Sequence, residues 1–146
     1  MGEAFFRTLH MLGILGLAAG VIIAVMATRP SLARDDVTGL SKVYIMSLIA
    51  LLITTVAGLS LWFWVGKPAD FFTNNPVFQA KMGLFVILAG LIGWPAAVFH
   101  RLASRMPEEL QEANIPPTIQ RLQKSAIPLL LVLPILAYLM ARGIGY

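Results

Sequence analysis

The amino-acid sequence predicts an all-α fold, a four-transmembrane-helix bundle, and three observations carry that prediction. Hydrophobic residues make up 58% of the 146 positions and charged residues only 12%, where a soluble domain carries about a quarter charged. Four intervals are free of Asp, Glu, Lys and Arg: 21 residues between Arg7 and Arg29, 24 between Lys42 and Lys67, 19 between Lys81 and Arg101, and 17 between Lys124 and Arg142. Each approaches the ~20 residues that a helix needs to cross a ~30 Å hydrocarbon core. The apolar runs are continuous, without the alternation of a barrel strand, and in lipid only helices or closed barrels satisfy their own backbone. The expectation is a single integral membrane domain over residues 1–146, with helices at about 4–27, 42–65, 76–100 and 118–141.

Composition excludes several function classes. With no cysteine, disulfide scaffolds, Cys-ligated zinc, iron-sulfur clusters and thiol catalysis are ruled out. The net charge of +4 arises from dispersed Lys and Arg rather than a dense basic patch, so a nucleic-acid partner is not expected. The expected partner is the lipid bilayer. The connections at 28–42 and after span three hold seven Lys and Arg, against four on the opposite side. The positive-inside bias then makes those two connections cytoplasmic and puts both termini outside.

In span one, Arg7 followed by an apolar run resembles a signal peptide, but the run exceeds the roughly 7 to 15 residues of a signal core and reads as a helix. It contains His10, and Gly13, Gly20 and Ala24 fall on one stripe beside it at 100° per residue. Gly16 and Gly20 form a GxxxG, which permits close backbone approach. Two readings of the stripe stand: a helix-packing seam, or a smooth wall for a flat ligand beside the imidazole. The connection after it, with Pro30, Asp35-Asp36 and Gly39, reads as a solvated loop.

Span two places Ser47, Ala50, Thr54 and Gly58 on one face, the residue types that let membrane helices meet. Trp62 and Trp64 at its end read as an interfacial belt. In the loop that follows, Phe71 and Phe72 are apolar where polar residues are usual, so they should lie on the membrane surface or plug the mouth of the bundle. Asn75-Pro76 then opens span three, asparagine capping free amides and proline suiting the first turn.

Within span three, Ala89, Gly93 and Ala97 recur every four residues and predict its packing face, and Pro95 predicts a bend. Pro107 followed by Glu108, Glu109 and Glu112 predicts a short cytosolic helix. Span four, approached through Gln120, Arg121, Gln123 and Lys124, contains Pro128 and Pro134 and should be bent.

The functional question rests on the ionisable residues. His10 and Lys81 each enter their span from the same side of the membrane and reach similar depth, Lys81 about 7 to 8 Å beyond the start of its helix. Ionisable groups at membrane depth are costly and need a role or a partner. Together these two could bind an anion, or hold a haem or porphyrin, with His10 as the metal ligand and Lys81 paired with a propionate. The plainer reading has Lys81 snorkelling to the interface and His10 bonded to a carbonyl. His100 lies 19 residues beyond Lys81, about 28 Å along a helix, which excludes His10 and His100 as two ligands of one haem within a subunit. The four apolar spans contain no acidic residue, which argues against proton-coupled transport.

On LHMLG in span one, NPVFQAKMGLFVILAGLIGWP in span three and the ending LAYLMARGIGY, the chain resembles the small four-helix predicted membrane proteins of bacteria known only as a domain of unknown function. That resemblance implies the fold and a membrane location. A fainter one is to HemJ-type protoporphyrinogen oxidases and copper-resistance membrane domains; the oxidases pair a first-helix histidine with a lysine opening a later helix, positions similar to His10 and Lys81 here. The tryptophan and second histidine of that family around helix one are missing. The functional expectation is a bacterial inner-membrane protein binding haem, porphyrin or another flat anionic ligand through His10, Lys81, Gly13 and Gly20. The alternatives are a non-enzymatic accessory subunit of a larger membrane complex, self-associating through small-residue faces, and a carrier of small anions.

Overall fold

A computed structural model of the chain describes residues 1–145, so the closing Tyr146 of the LAYLMARGIGY motif lies outside the described residues. Four long helices carry the fold, each long and apolar enough to cross a membrane. Helix α1 spans Gly2–Ala27, α2 spans Arg34–Ser60 and runs on as a π-helical turn over Leu61–Val65, α4 spans Pro76–Arg105, and α5 spans Pro117–Ala141. A short helix α3, Ala69–Thr73, links α2 to α4, and two three-residue strands, β1 (Ser31–Ala33) and β2 (Glu112–Asn114), lie at the opposite end.

Helix α2 begins well before the expected position 42, since Asp35 and Asp36 in its first turn favour the positive end of the helix dipole. Helix α4 likewise outruns its charge-free interval and ends on Arg105, a cation in the last turn. Pro95, Pro128 and Pro134 all sit inside continuous helices.

Around the bundle α1 packs on α2, α2 on α4, α4 on α5 and α5 on α1. Helices α1 and α4 therefore stand on one diagonal. The α1–α2 seam is the closest approach, and its residue types explain it. A side chain on Gly13 would collide with Thr54, and one on Gly20 with Ser47, while Gly16 faces Ala50. The hydroxyls of Ser47 and Thr54 donate to the carbonyls of Val43 and Ala50 four residues back, at 2.9 and 2.8 Å. Polar atoms at the seam are thus satisfied within α2, as lipid requires.

Two expectations need correction. The stretch 106–116 forms no helix: its β2 pairs antiparallel with β1, Leu32 opposite Ala113, extended by Ile115 N–H donating to the Pro30 carbonyl at 2.8 Å. Arg34 fixes this ribbon to the end of α4 by donating to the carbonyls of Pro107 and Met106 at 3.0 and 3.3 Å. The backbone groups of a proline-bounded segment must pair somewhere, and here they pair across the two connections. Leu32 and Ile115 are buried and join the core. The second correction concerns α4. Its buried face is Leu88, Ile92, Ala96 and Phe99. Ala97 is exposed and Gly93 has open space about it, so the expected stripe of Ala89, Gly93 and Ala97 is not the internal packing face.

The ribbon half of the bundle is filled. Tyr44 stacks on Phe99 with ring centroids 5.5 Å apart. Beside them the buried Gln123 amide donates to the Tyr44 hydroxyl at 2.8 Å and to Thr28 Oγ1 at 2.9 Å, tying α5 to α1 and α2. The other half, at the end holding the termini, is hollow.

Candidate functional site

The hollow is a cavity of about 620 Å³ walled by all four spans and by α3. That size falls within the roughly 300 to 1,000 Å³ of small-molecule sites. Its floor is Leu17, Leu88 and Leu133, where the packed half begins. The walls are mainly apolar, among them Ile14, Phe78, Met82 and Phe85.

The aqueous end is closed by aromatic rings. Trp62 lies edge-on to Phe78 at 4.7 Å, Phe72 packs on Phe78 at 5.6 Å, and Phe71 meets Phe72 edge-on at 5.3 Å. Trp62 Nε1 donates to Thr73 Oγ1 at 3.2 Å, which ties the end of α2 to α3. Of the two tryptophans read as a belt, Trp64 is 79% exposed, whereas Trp62 faces the cavity. Two residues apart on one helical turn, the two indoles point to opposite sides. Phe71 and Phe72 take the plugging alternative expected for them, both half-buried and both lining the cavity.

His10 and Lys81 lie on the two diagonal helices, and both line this cavity. His10 Nδ1 donates to the carbonyl of Thr54 at 2.8 Å, since a carbonyl can only accept. That bond fixes the tautomer and leaves Nε2 as an acceptor or metal-binding atom. Gly58, one turn beyond Thr54, makes the room: a Cβ there would lie 3.0 Å from His10 Cε1. The carbonyl bond of the plainer reading is therefore made, and it orients the ring without closing off its second nitrogen.

The cations at the cavity differ in how they are held. Arg7 pairs with Glu3 one turn away, and Lys67 Nζ sits 4.0 Å over the ring of Phe71. Lys81 is half-buried and, among the described residues, has no hydrogen bond or ion pair. Its helix is firmly placed. Asn75, fully buried, accepts from Val77 N–H at 2.8 Å and Phe78 N–H at 3.4 Å, while its Nδ2 donates to the Ile144 carbonyl. Gly145, with φ of +97°, lies so close to Asn75 that a side chain would not fit, so the C-terminal turn clasps the start of α4.

A family model described as Predicted membrane protein (DUF2214) matches residues 2–145. The chain belongs to that family. No curated protein and no solved structure matches it. Membership agrees with four membrane-spanning helices and assigns this DUF2214 protein no reaction.

The other expected site residues lie elsewhere. Gly13 and Gly20 of the DUF2214 chain face α2 and are absent from the cavity lining, so the seam takes up both and leaves no glycine wall for a ligand. His100 is exposed near the ribbon end of α4. Among the described residues no group of three or more His, Asp or Glu is placed to hold a metal ion. Sequence reasoning overlooked the Thr54 carbonyl, Gly58 as the slot for the imidazole, and Trp62 as a wall.

Proposed function

We propose that this protein binds a membrane-dissolved amphiphile whose apolar body fills the cavity and whose anionic group meets Lys81. One observation carries the reading: a half-buried lysine that, among the described residues, has no hydrogen bond or ion pair, on the wall of an apolar cavity of about 620 Å³. Such a charge costs stability unless an opposite charge or hydrogen-bond acceptor compensates it. A ligand that brings an anion does so.

Haem or a porphyrin is the class to test first, because the donor set fits it. His10 would hold the metal through Nε2, its ring oriented by Thr54 as metal-ligating histidines are by their outer partners. Lys81 would pair with a propionate. Haem bound there would supply one-electron or gas-binding chemistry at its iron. Titration of the purified protein with haemin should yield a Soret band that His10→Ala removes and Lys81→Gln weakens. A spectrum indifferent to His10→Ala refutes ligation by this residue. The reading includes a bacterial inner membrane with both termini outside, supported by the excess of Lys and Arg at the ribbon end. Topology reporters fused to each terminus test it, and activity on the cytoplasmic side overturns it.

The second reading is an accessory subunit of a larger membrane complex or a homo-oligomer. It is favoured by the outward face of α4, where Gly83 and Gly90 have open space about them and Trp94 is 65% exposed. Native mass spectrometry after mild extraction tests it, and a bare monomer counts against it.

A further inference from the structure

Resting on the reading of the cavity as an amphiphile site, we infer that its occupant comes from the bilayer, sideways, through a portal between α1 and α5. The observation is an asymmetry in the cavity wall. Where α2 and α4 supply it, the lining residues are buried or half-buried, as at Thr54, Gly58, Phe78 and Leu88. Where α1 and α5 supply it, several lining residues are also open to the outside: Met11 is 57% exposed, Tyr138 56%, and Pro134 is exposed beside it. Residues that line a cavity and are also exposed, on two adjacent helices, mark a gap in the wall.

The surroundings of that gap are apolar. Leu12 and Leu15 on α1 and Ile135 on α5 are exposed in the same spans, so the gap faces hydrocarbon. The aqueous end is crossed by Trp62, Phe71 and Phe72 instead. Arg142, whose guanidinium lies 5.2 Å over the Tyr138 ring, puts a cation at headgroup level by the gap, and Arg7, paired with Glu3, lines the cavity nearer the chain start. An amphiphile sliding in keeps its anionic group at that level and its apolar body in hydrocarbon, so neither part crosses an unfavourable phase. The ligand class is thus a bilayer-dissolved anionic amphiphile, not a solute captured from water.

The absence of cysteine makes the portal addressable. In a Trp64→Phe, Trp94→Phe background Trp62 is the one remaining tryptophan and reports from the cavity wall. Met11→Cys with Tyr138→Cys then allows the portal to be bridged by a bis-maleimide. The protein is reconstituted in phosphatidylcholine vesicles, and Trp62 quenching is followed with two probes: protoporphyrin IX, and phosphatidylglycerol brominated in its acyl chains. Bridging before the probe is added should slow quenching about ten-fold or more, and bridging after loading should slow release into acceptor vesicles to a similar degree. Met11→Cys alone, capped with a bulky maleimide, should slow loading without any bridge, which covers failure of the double variant to fold. Full quenching at rates indifferent to bridging and capping overturns the portal and leaves the cavity reading standing. Absence of quenching by both probes in the unmodified protein overturns the cavity reading and the portal together.

Discussion

Alanine substitutions at Gly13, Gly16 and Gly20 of α1 should separate sharply, because the α1–α2 seam treats them differently. At Gly16 a Cβ would meet Ala50 Cβ at 3.5 Å, an ordinary contact. At Gly20 it would overlap Ser47 Oγ, the tip of a side chain that can rotate away. At Gly13 it would overlap Thr54 Oγ1 and also lie 3.0 Å from the Thr54 backbone nitrogen and 3.2 Å from the Ala50 carbonyl, which cannot move without shifting α2. Against this, replacing glycine by alanine inside a helix gains about 0.8 to 1 kcal/mol of propensity. Overpacking a tight contact costs about 1 to 3 kcal/mol. Gly16→Ala is therefore expected to be neutral or to stabilise by up to about 1 kcal/mol, and Gly20→Ala to fall near zero. Gly13→Ala should destabilise by about 1 to 2 kcal/mol and also press on Thr54, whose carbonyl holds His10. Equilibrium unfolding in mixed micelles, followed by circular dichroism, measures all three. A Gly13→Ala variant as stable as Gly16→Ala refutes the seam as described, and with it the assignment of these glycines to packing.

Lys81→Met should abolish ligand binding yet raise the stability of the ligand-free protein by about 1 kcal/mol, read by thermal melting, since an uncompensated half-buried charge is removed. Asn75→Ala loses a helix cap and the donor to the Ile144 carbonyl, a cost of about 2 to 3 kcal/mol; Asn75→Ser, which keeps the cap, should recover about half of it in the same melt. Gln123→Leu removes two buried hydrogen bonds at the ribbon half and should destabilise by about 1 to 3 kcal/mol. It should leave probe binding at the distant cavity unchanged in a quenching titration.

The spans were legible because hydropathy over a window of about 20 residues is a strong signal in a membrane chain. The inward faces were legible only in part. In α2 the face of Ser47, Ala50 and Thr54 is polar or small against a background of Leu and Ile, and it does meet α1. In α4 the small-residue spacing at Ala89, Gly93 and Ala97 pointed outward, because lipid and protein interior are equally apolar and hydropathy does not separate them. The ribbon was missed since β1 and β2 are far apart in sequence and each is too short to carry a period. At the cavity, His10 and Lys81 stood out by their rarity within apolar spans. The carbonyl that orients His10 belongs to the backbone, which has no sequence signature of its own, and a tryptophan at a span end reads equally as an interfacial anchor or as a wall residue, so the place of Trp62 at the cavity was not legible.

The β1–β2 ribbon has a mechanical consequence. It joins the connection between α1 and α2 to the connection between α4 and α5, so the two helical hairpins are riveted together at one end. At that same end the Gln123 bonds and the Tyr44–Phe99 stack add cross-bracing. Among the described residues the cavity end has no such rivet between α1 and α5. The α1–α5 side is therefore the more loosely held edge of the cavity end, while α3 keeps α2 and α4 together there. Any motion that parts α1 from α5 should grow along about 30 Å of helix from the ribbon toward the cavity. Breathing of the fold and access to the site are then one motion, and a bond broken in the ribbon should be felt first at the far side of the membrane.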